Sequence, residues 1–176
     1  DPEAELLSVL RELGIGFVPY SPLGHGFLTG EIRSPQQLSD DDWRKTNPRF
    51  TVENFKRNLR IVDEVKAVAA EAGATPAQVV LAWLLAQGDD IAPIPGTKRV
   101  ARVEENTAAE HLELNGRQIE RLNDLAPAAG RLHELVEGDR YRRVAVALDR
   151  LAVELGPVRV EQVLGLPCPE AFEVDV

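Results

Sequence analysis

Two short apolar segments, GIGFVPY (14–20) and IAPIPGT (91–97), are the stretches of this 176-residue chain that read as strands. Two strands cannot close a barrel, and a lone pair leaves both edges unpaired. The fold must therefore rest mainly on helices packed around a minimal pair. Each segment also runs straight into a glycine-containing loop, YSPLGHG after the first and PGTKR after the second. In α/β proteins such loops, at the carboxyl ends of strands, are where ligands collect.

The helices are well signalled. PEAELLSVLREL (2–13) places Leu6, Leu7, Leu10 and Leu13 at helical spacing ahead of Gly14. From Thr51, VENFKRNLRIVDEVKAVAAEAG carries Phe55, Leu59, Val62, Val65 and Ala69 along one stripe, closed by Gly73. The next helix starts with Thr75 as N-cap, Pro76 at the first helical position and Gln78 completing a capping box; its faces are mostly apolar, which predicts burial. RVARVEENTAAE follows the second strand as a helix. In LNGRQIERLNDLA, Asn115 caps and Gln118 stands three residues on, with Ile119, Leu122 and Leu125 facing inward. Residues 30–51 are polar and predict a long exposed excursion. APAAG (126–130) ends this α/β domain, expected over 1–130; 131–176 is a tail with a helix over YRRVAVALDRLAVEL and an irregular end. The tail helix carries an apolar stripe, Val144, Ala147, Leu148, Leu151 and Leu155, suited to this chain or to a partner helix.

Charge narrows the partners. A formal net charge of −9 offers no broad basic surface for nucleic acid. No apolar run approaches the roughly 18 residues that span a bilayer, and the start DPEAELL has no signal-peptide pattern. One cysteine, Cys168, excludes an internal disulfide and fits a reducing, cytoplasmic setting. Against this acidic background Lys98, Arg99 and Arg102 fall within five positions at a helix start. Exposed amides there attract anions, and an arginine can grip a phosphate with two parallel hydrogen bonds. In the first loop, glycines let the backbone approach an anion and Ser21 adds a hydroxyl. Glycine loops and solvated basic faces also occur without any ligand, and spacing alone leaves both readings open. His25, His111 and His133 are too scattered for a metal site, and Asp40, Asp41 and Asp42 read as a solvated loop or helix start.

Four blocks in register, ELGIGFVPYSPLGHGFLTG, DDDWRKTNPRFTVENFKRNL, ATPAQVVLAWLLAQG and IAPIPGTKRVARVEENTAA, resemble the aldo-keto reductase family over roughly residues 1–130. That resemblance implies the carboxyl-terminal part of a (β/α)8 barrel, with its last two strands and their helices, and an NADPH-linked reduction of aldehydes or ketones. It assigns Tyr20 to the nicotinamide ring and Ser21, Pro22, Leu23 and Gly24 to the pyrophosphate. Gly96, Thr97 and Lys98 match the segment around the adenosine 2′-phosphate. Arg102 matches the arginine on that phosphate or on adenine, and Glu105 with Asn106 match the adenine contacts. His25 stands where many relatives carry a long basic residue, and Trp43 lies in the excursion that borders the substrate mouth in the family.

No position matches the family's catalytic Asp, Tyr, Lys or His, so no catalytic residue is expected in this chain, and no metal. A tyrosine acid needs its lysine and histidine neighbours to pass a proton near neutral pH. The expected function is cofactor binding on behalf of a complete NADP-dependent reductase acting on a small carbonyl substrate. The alternative is a non-catalytic, truncated nucleotide-binding or interaction module. Self-association would cover the open strand edges.

Overall fold

The computed structural model describes residues 6–130, so the expected tail helix, Cys168 and His133 lie outside the described residues. Five α-helices appear in order: α1 (Leu6–Glu12), α2 (Val52–Ala72), α3 (Pro76–Leu85), α4 (Val100–Thr107) and α5 (Gly116–Asn123). Among the described residues no single helix is long and apolar enough to cross a membrane.

The two expected strands shrink to two isolated parallel bridges, Phe17 with Ile91 and Tyr20 with Ile94. Three backbone hydrogen bonds make them: Phe17 N to Asp90 O at 2.6 Å, Ala92 N to Phe17 O at 3.0 Å and Ile94 N to Pro19 O at 3.2 Å. Proline explains the shortfall. Pro19 has no N–H, so the rung it would donate to the second segment, between those of Ala92 and Ile94, is missing. The register is reinforced from α1, where Arg11 Nε pairs with Asp90 Oδ2 at 2.9 Å and Arg11 Nη2 donates to Gln87 O at 2.9 Å.

Helix α2 is the spine. Thr51 caps it, accepting from Asn54 N, and its end is the left-handed Gly73, as the sequence predicts. One end of its buried face meets Phe27, Leu38 and Phe50, around Phe55 and Val62. There Phe27 stands edge-on to Phe55 with ring centroids 5.0 Å apart. Such aromatic pairs contribute about 0.5–1.5 kcal/mol beyond burial alone. The other end, Val65, Val68 and Ala69, packs on Val79 and Val80 of α3 and Leu122 of α5. The capping boxes Thr75–Gln78 and Asn115–Gln118 form as expected and set where α3 and α5 begin. The Trp83 side chain is partly buried against this core, and its indole N–H donates to Asn123 Oδ1 at 2.7 Å.

The polar excursion departs from expectation. Residues 34–50 coil into three short 3-10 turns, and Leu38, Asn47 and Phe50 are buried. Phe50 is drawn in by Phe27 and Phe55, and the Asn47 side chain accepts from Arg49 N at 3.0 Å. Two apolar residues outweigh a polar composition because burying each gains about 1.5–3 kcal/mol.

Two side chains of α2 fasten the end of the described chain: exposed Arg60 donates Nη2 to Ala126 O at 2.7 Å and to Pro127 O at 3.0 Å, and a buried amide holds the next residues. Asn58 on α2 donates to Ala129 O at 3.0 Å and accepts from Ala129 N at 2.7 Å. Gly130 then passes Pro48 so closely that an added Cβ would lie 2.6 Å from the Pro48 carbonyl carbon. Removing the Asn58 amide leaves both backbone groups of Ala129 without their partner, and each such loss costs on the order of 1–3 kcal/mol. Asn58→Ala is therefore expected to lower unfolding stability in urea by about 2–3 kcal/mol. The exposed cap change Asn115→Ala should cost about 1 kcal/mol. A loss at Asn58 no larger than that at Asn115 would remove the clip from this account.

Candidate functional site

The parallel bridges end side by side, so the two glycine loops that follow them meet. Together they wall a cleft of about 540 Å³. From the first loop come Ser21, Pro22 and Leu23; from the second come Gly96, Thr97 and Lys98. Arg102 and Asn106, from α4, line the same space. Most of the residues singled out from sequence are thus brought into one cleft. Tyr20, Gly24 and Glu105 are not on its wall. Tyr20 is 71% exposed at the bridge that opens the loop, and the Glu105 side chain is turned onto Arg102 at 2.6 Å.

The first loop is held in a costly backbone shape. Ser21 has φ 49° and His25 φ 56°, left-handed values that side chains other than glycine seldom adopt. Gly24 (φ 57°) and Gly26 (φ 88°) flank His25, giving three successive left-handed residues. Local bonds support the turn: Gly24 N donates to Ser21 O at 2.9 Å, and Gly26 N and Leu28 N both donate to Leu23 O at 3.1 Å. Arg44, from the excursion, completes it by donating Nη1 to His25 O at 2.9 Å.

Arg44 is itself fixed. Its Nη2 lies 2.6 Å from Asp42 Oδ2 and its Nε 3.0 Å from Asp42 Oδ1, a fork-to-fork pair, while Asp42 Oδ1 also accepts from Arg44 N. These hydrogen bonds hold the Asp42 carboxyl down to about 2 and raise the guanidinium further above its ordinary value. His25 is pushed the other way: burial, then the charges of Arg49 and Arg44, lower its pKa, so its imidazole is neutral at pH 7. Its ring stands edge-on to Trp43 with centroids 4.7 Å apart. Trp43, 56% exposed, borders a second, shallower cleft of about 300 Å³ that shares His25 and Arg44 with the first.

Arg102 anchors the far end of the first cleft. Its Nη1 binds Glu105 Oε2 at 2.6 Å, and its Nη2 binds Glu31 Oε1, a residue 71 positions away on the far side of the first loop. Both hydrogen bonds raise the Arg102 pKa, that from Glu105 most. At Glu105 burial works to raise the pKa, but the hydrogen bonds from Arg102 and Thr75 prevail and lower it. Glu31 and Arg44 were not identified from the sequence. The only local signal was Asp42 two residues before Arg44, and for Glu31 there was none. Among the described residues, no cluster of three metal-ligating side chains occurs.

With a preformed cleft, basic residues at one end and glycine backbone at the other, the arrangement suits an elongated anion with both phosphate and apolar ring parts. A family profile described as the aldo/keto reductase family matches residues 1–127. The aldo-keto reductase str7 of Strobilurus tenacellus is 40% identical over 148 residues, covering 84% of this chain and 43% of that protein. The aldo-keto reductase yakc [NADP(+)] of Schizosaccharomyces pombe is 45% identical over 123 residues, covering 70% of this chain and 36% of that protein. The chain therefore spans well under half the length of these relatives. In fold, the structure matches the glycerol dehydrogenase AKR11B4 from Gluconobacter oxydans with a TM-score of 0.65 at 23% identity, over 74% of this chain and 40% of that one.

The Asp42–Arg44 pair has a direct test. A carboxyl whose folded pKa lies below its unfolded value stabilises the fold above the unfolded value, near 4. That contribution is lost as pH falls toward about 2. Carbon-detected NMR titration should find Asp42 near 2, and Arg44→Gln should return it to about 3.9. An Asp42 that titrates near 3.9 in the native protein would show that the fork-to-fork pair does not hold in solution.

Proposed function

The chain belongs to the aldo/keto reductase family, and from that premise we propose that it carries the NADP(H)-binding part of a carbonyl reductase. The observation that supports this most is the meeting of the two loops in one cleft with Lys98, Arg99 and Arg102 gathered along it. A 2′-phosphate needs positive partners, and a chain of net charge −9 concentrates them here. The relative from Schizosaccharomyces pombe bears NADP(+) in its name.

In this reading Ser21, Pro22 and Leu23 lie along the pyrophosphate, and Gly24, off the cleft wall, shapes the turn behind them. The left-handed Gly24–His25–Gly26 run, braced by Arg44, fixes the loop before ligand arrives. Gly96, Thr97 and Lys98 surround the 2′-phosphate and Arg102 grips it, with Glu105 orienting the guanidinium. Asn106 faces the adenine. Tyr20, exposed at the head of the first loop, offers its ring face to the nicotinamide. Trp43 borders the substrate, beside a cleft that shares the His25 wall.

NADPH, when bound, supplies a hydride to the carbonyl carbon of an aldehyde or ketone. This chain's part is to hold and orient that donor. The proton on the carbonyl oxygen comes from a tyrosine that no position here matches, so the 176 residues alone are expected to bind nucleotide without turning it over. A non-catalytic nucleotide-binding module shares the binding and differs in having no reductase activity in any longer form of the protein.

The binding claim is tested by melting the 176-residue chain with and without nucleotide. NADPH at a hundred times its dissociation constant should add about 2.7 kcal/mol of stability. Arg102→Ala should weaken NADPH by roughly 10- to 100-fold, the worth of a charge-assisted contact, and NADH by much less. A melt indifferent to NADPH at millimolar concentration would end this reading.

A further inference from the structure

We propose that Glu31 sets how strongly the cleft discriminates between phosphorylated and unphosphorylated nucleotides, by competing with a 2′-phosphate for Arg102. This inference rests on the nucleotide reading above and concerns the specificity of the same site.

Arg102 holds two carboxylates that differ in kind. Glu105 sits three residues along the same helix with a side chain only 17% exposed, and Gln78 Nε2 donates to its backbone carbonyl at 3.2 Å. It is built in. Glu31 reaches across from the end of the first loop, its side chain 64% exposed, and takes the other guanidinium nitrogen, Nη2. Glu31 also lines the cleft shared with Lys98 and Arg99. One guanidinium edge is therefore committed to the fold, and the edge available to a ligand already carries an acid.

A phosphate on the ribose must displace Glu31 from Nη2 and then remain beside it. Both are anions, so the phosphorylated nucleotide loses affinity twice, once in the exchange and once by repulsion. A ribose with a free 2′-hydroxyl has neither cost, because a hydroxyl donates to a carboxylate. Acidic residues hold unphosphorylated ribose in this way in other dinucleotide sites. Glu31 thus narrows the preference for the phosphorylated cofactor that Lys98, Arg99 and Arg102 create.

Adenosine 2′,5′-bisphosphate and 5′-AMP isolate this end of the cofactor, and both can be titrated into the 176-residue chain by calorimetry. Glu31→Gln removes the charge and keeps the shape. It should tighten the bisphosphate by roughly three- to tenfold, the scale of one screened charge contact, and leave 5′-AMP unchanged or slightly weakened. Glu31→Asp should stay near the native ratio of the two affinities, and Glu113→Gln, which removes an exposed charge elsewhere, should leave both ligands as they were. Glu31 is exposed, so the substitution leaves the core untouched, and a nucleotide-free melt of Glu31→Gln verifies it. If the native chain binds the bisphosphate and Glu31→Gln leaves the ratio unmoved, Glu31 has no such role and the nucleotide reading stands. Equal tightening of both ligands, or of the bisphosphate by Glu113→Gln as well, reduces the effect to net charge and also overturns it. Binding of neither ligand to any form removes the nucleotide reading, and this inference with it.

Discussion

Three backbone hydrogen bonds bring two segments more than seventy residues apart into parallel register, and the position of the cleft follows from them. Phe17, Ala92 and Ile94 donate and Asp90, Phe17 and Pro19 accept, and the loops that begin at Tyr20 and Ile94 then leave the pair in the same direction. Few bonds suffice because the flanks are anchored independently. The Arg11–Asp90 pair holds one side, and the packing of Leu23 and Leu28 against the α2–α3 core holds the other. A slip of one residue would send Gly96 and Lys98 to the opposite face and separate the basic end of the cleft from the glycine loop.

Helix α2 converts that alignment into a rigid support. Its 21 residues link the aromatic cluster around Phe55 to the aliphatic cluster shared with α3 and α5, and Leu28 of the first loop packs on both. The apolar residues left in the open are of a different kind. Leu6 and Val9 on α1 and Leu13 just after it, with Ile15, Val18 and Ile94 on the paired segments, are each about half exposed, although their spacing is that of a buried face. The chain spans under half the length of the aldo-keto reductase relatives it matches.

What could be read from sequence was what neighbours in sequence determine. The caps at Thr75 and Asn115 were legible because an oxygen and an amide three residues apart make the whole interaction. The make-up of each loop was legible too, since serine, glycines and basic residues are contiguous, and most of those residues line one cleft. Asn58, Arg44 and Glu31 were not, because each acts on a partner 71 or 19 positions away. The excursion was misjudged because its polar composition conceals Leu38 and Phe50, which are buried. The strands were overestimated because apolar content shows a wish to be buried, whereas a ladder is set by which residues retain an N–H.

That last point reaches beyond the site. In the second segment the amides of Ala92 and Ile94 point to the first segment and are taken. Ile91 N is spent on Gly88 O, and Pro93 and Pro95 have none. The outer edge over 91–95 therefore accepts hydrogen bonds and donates none. Amyloid-like growth needs both along every layer it adds. An apolar, exposed edge of this length would ordinarily be a template for such fibrils, and here proline spacing leaves it chemically one-handed.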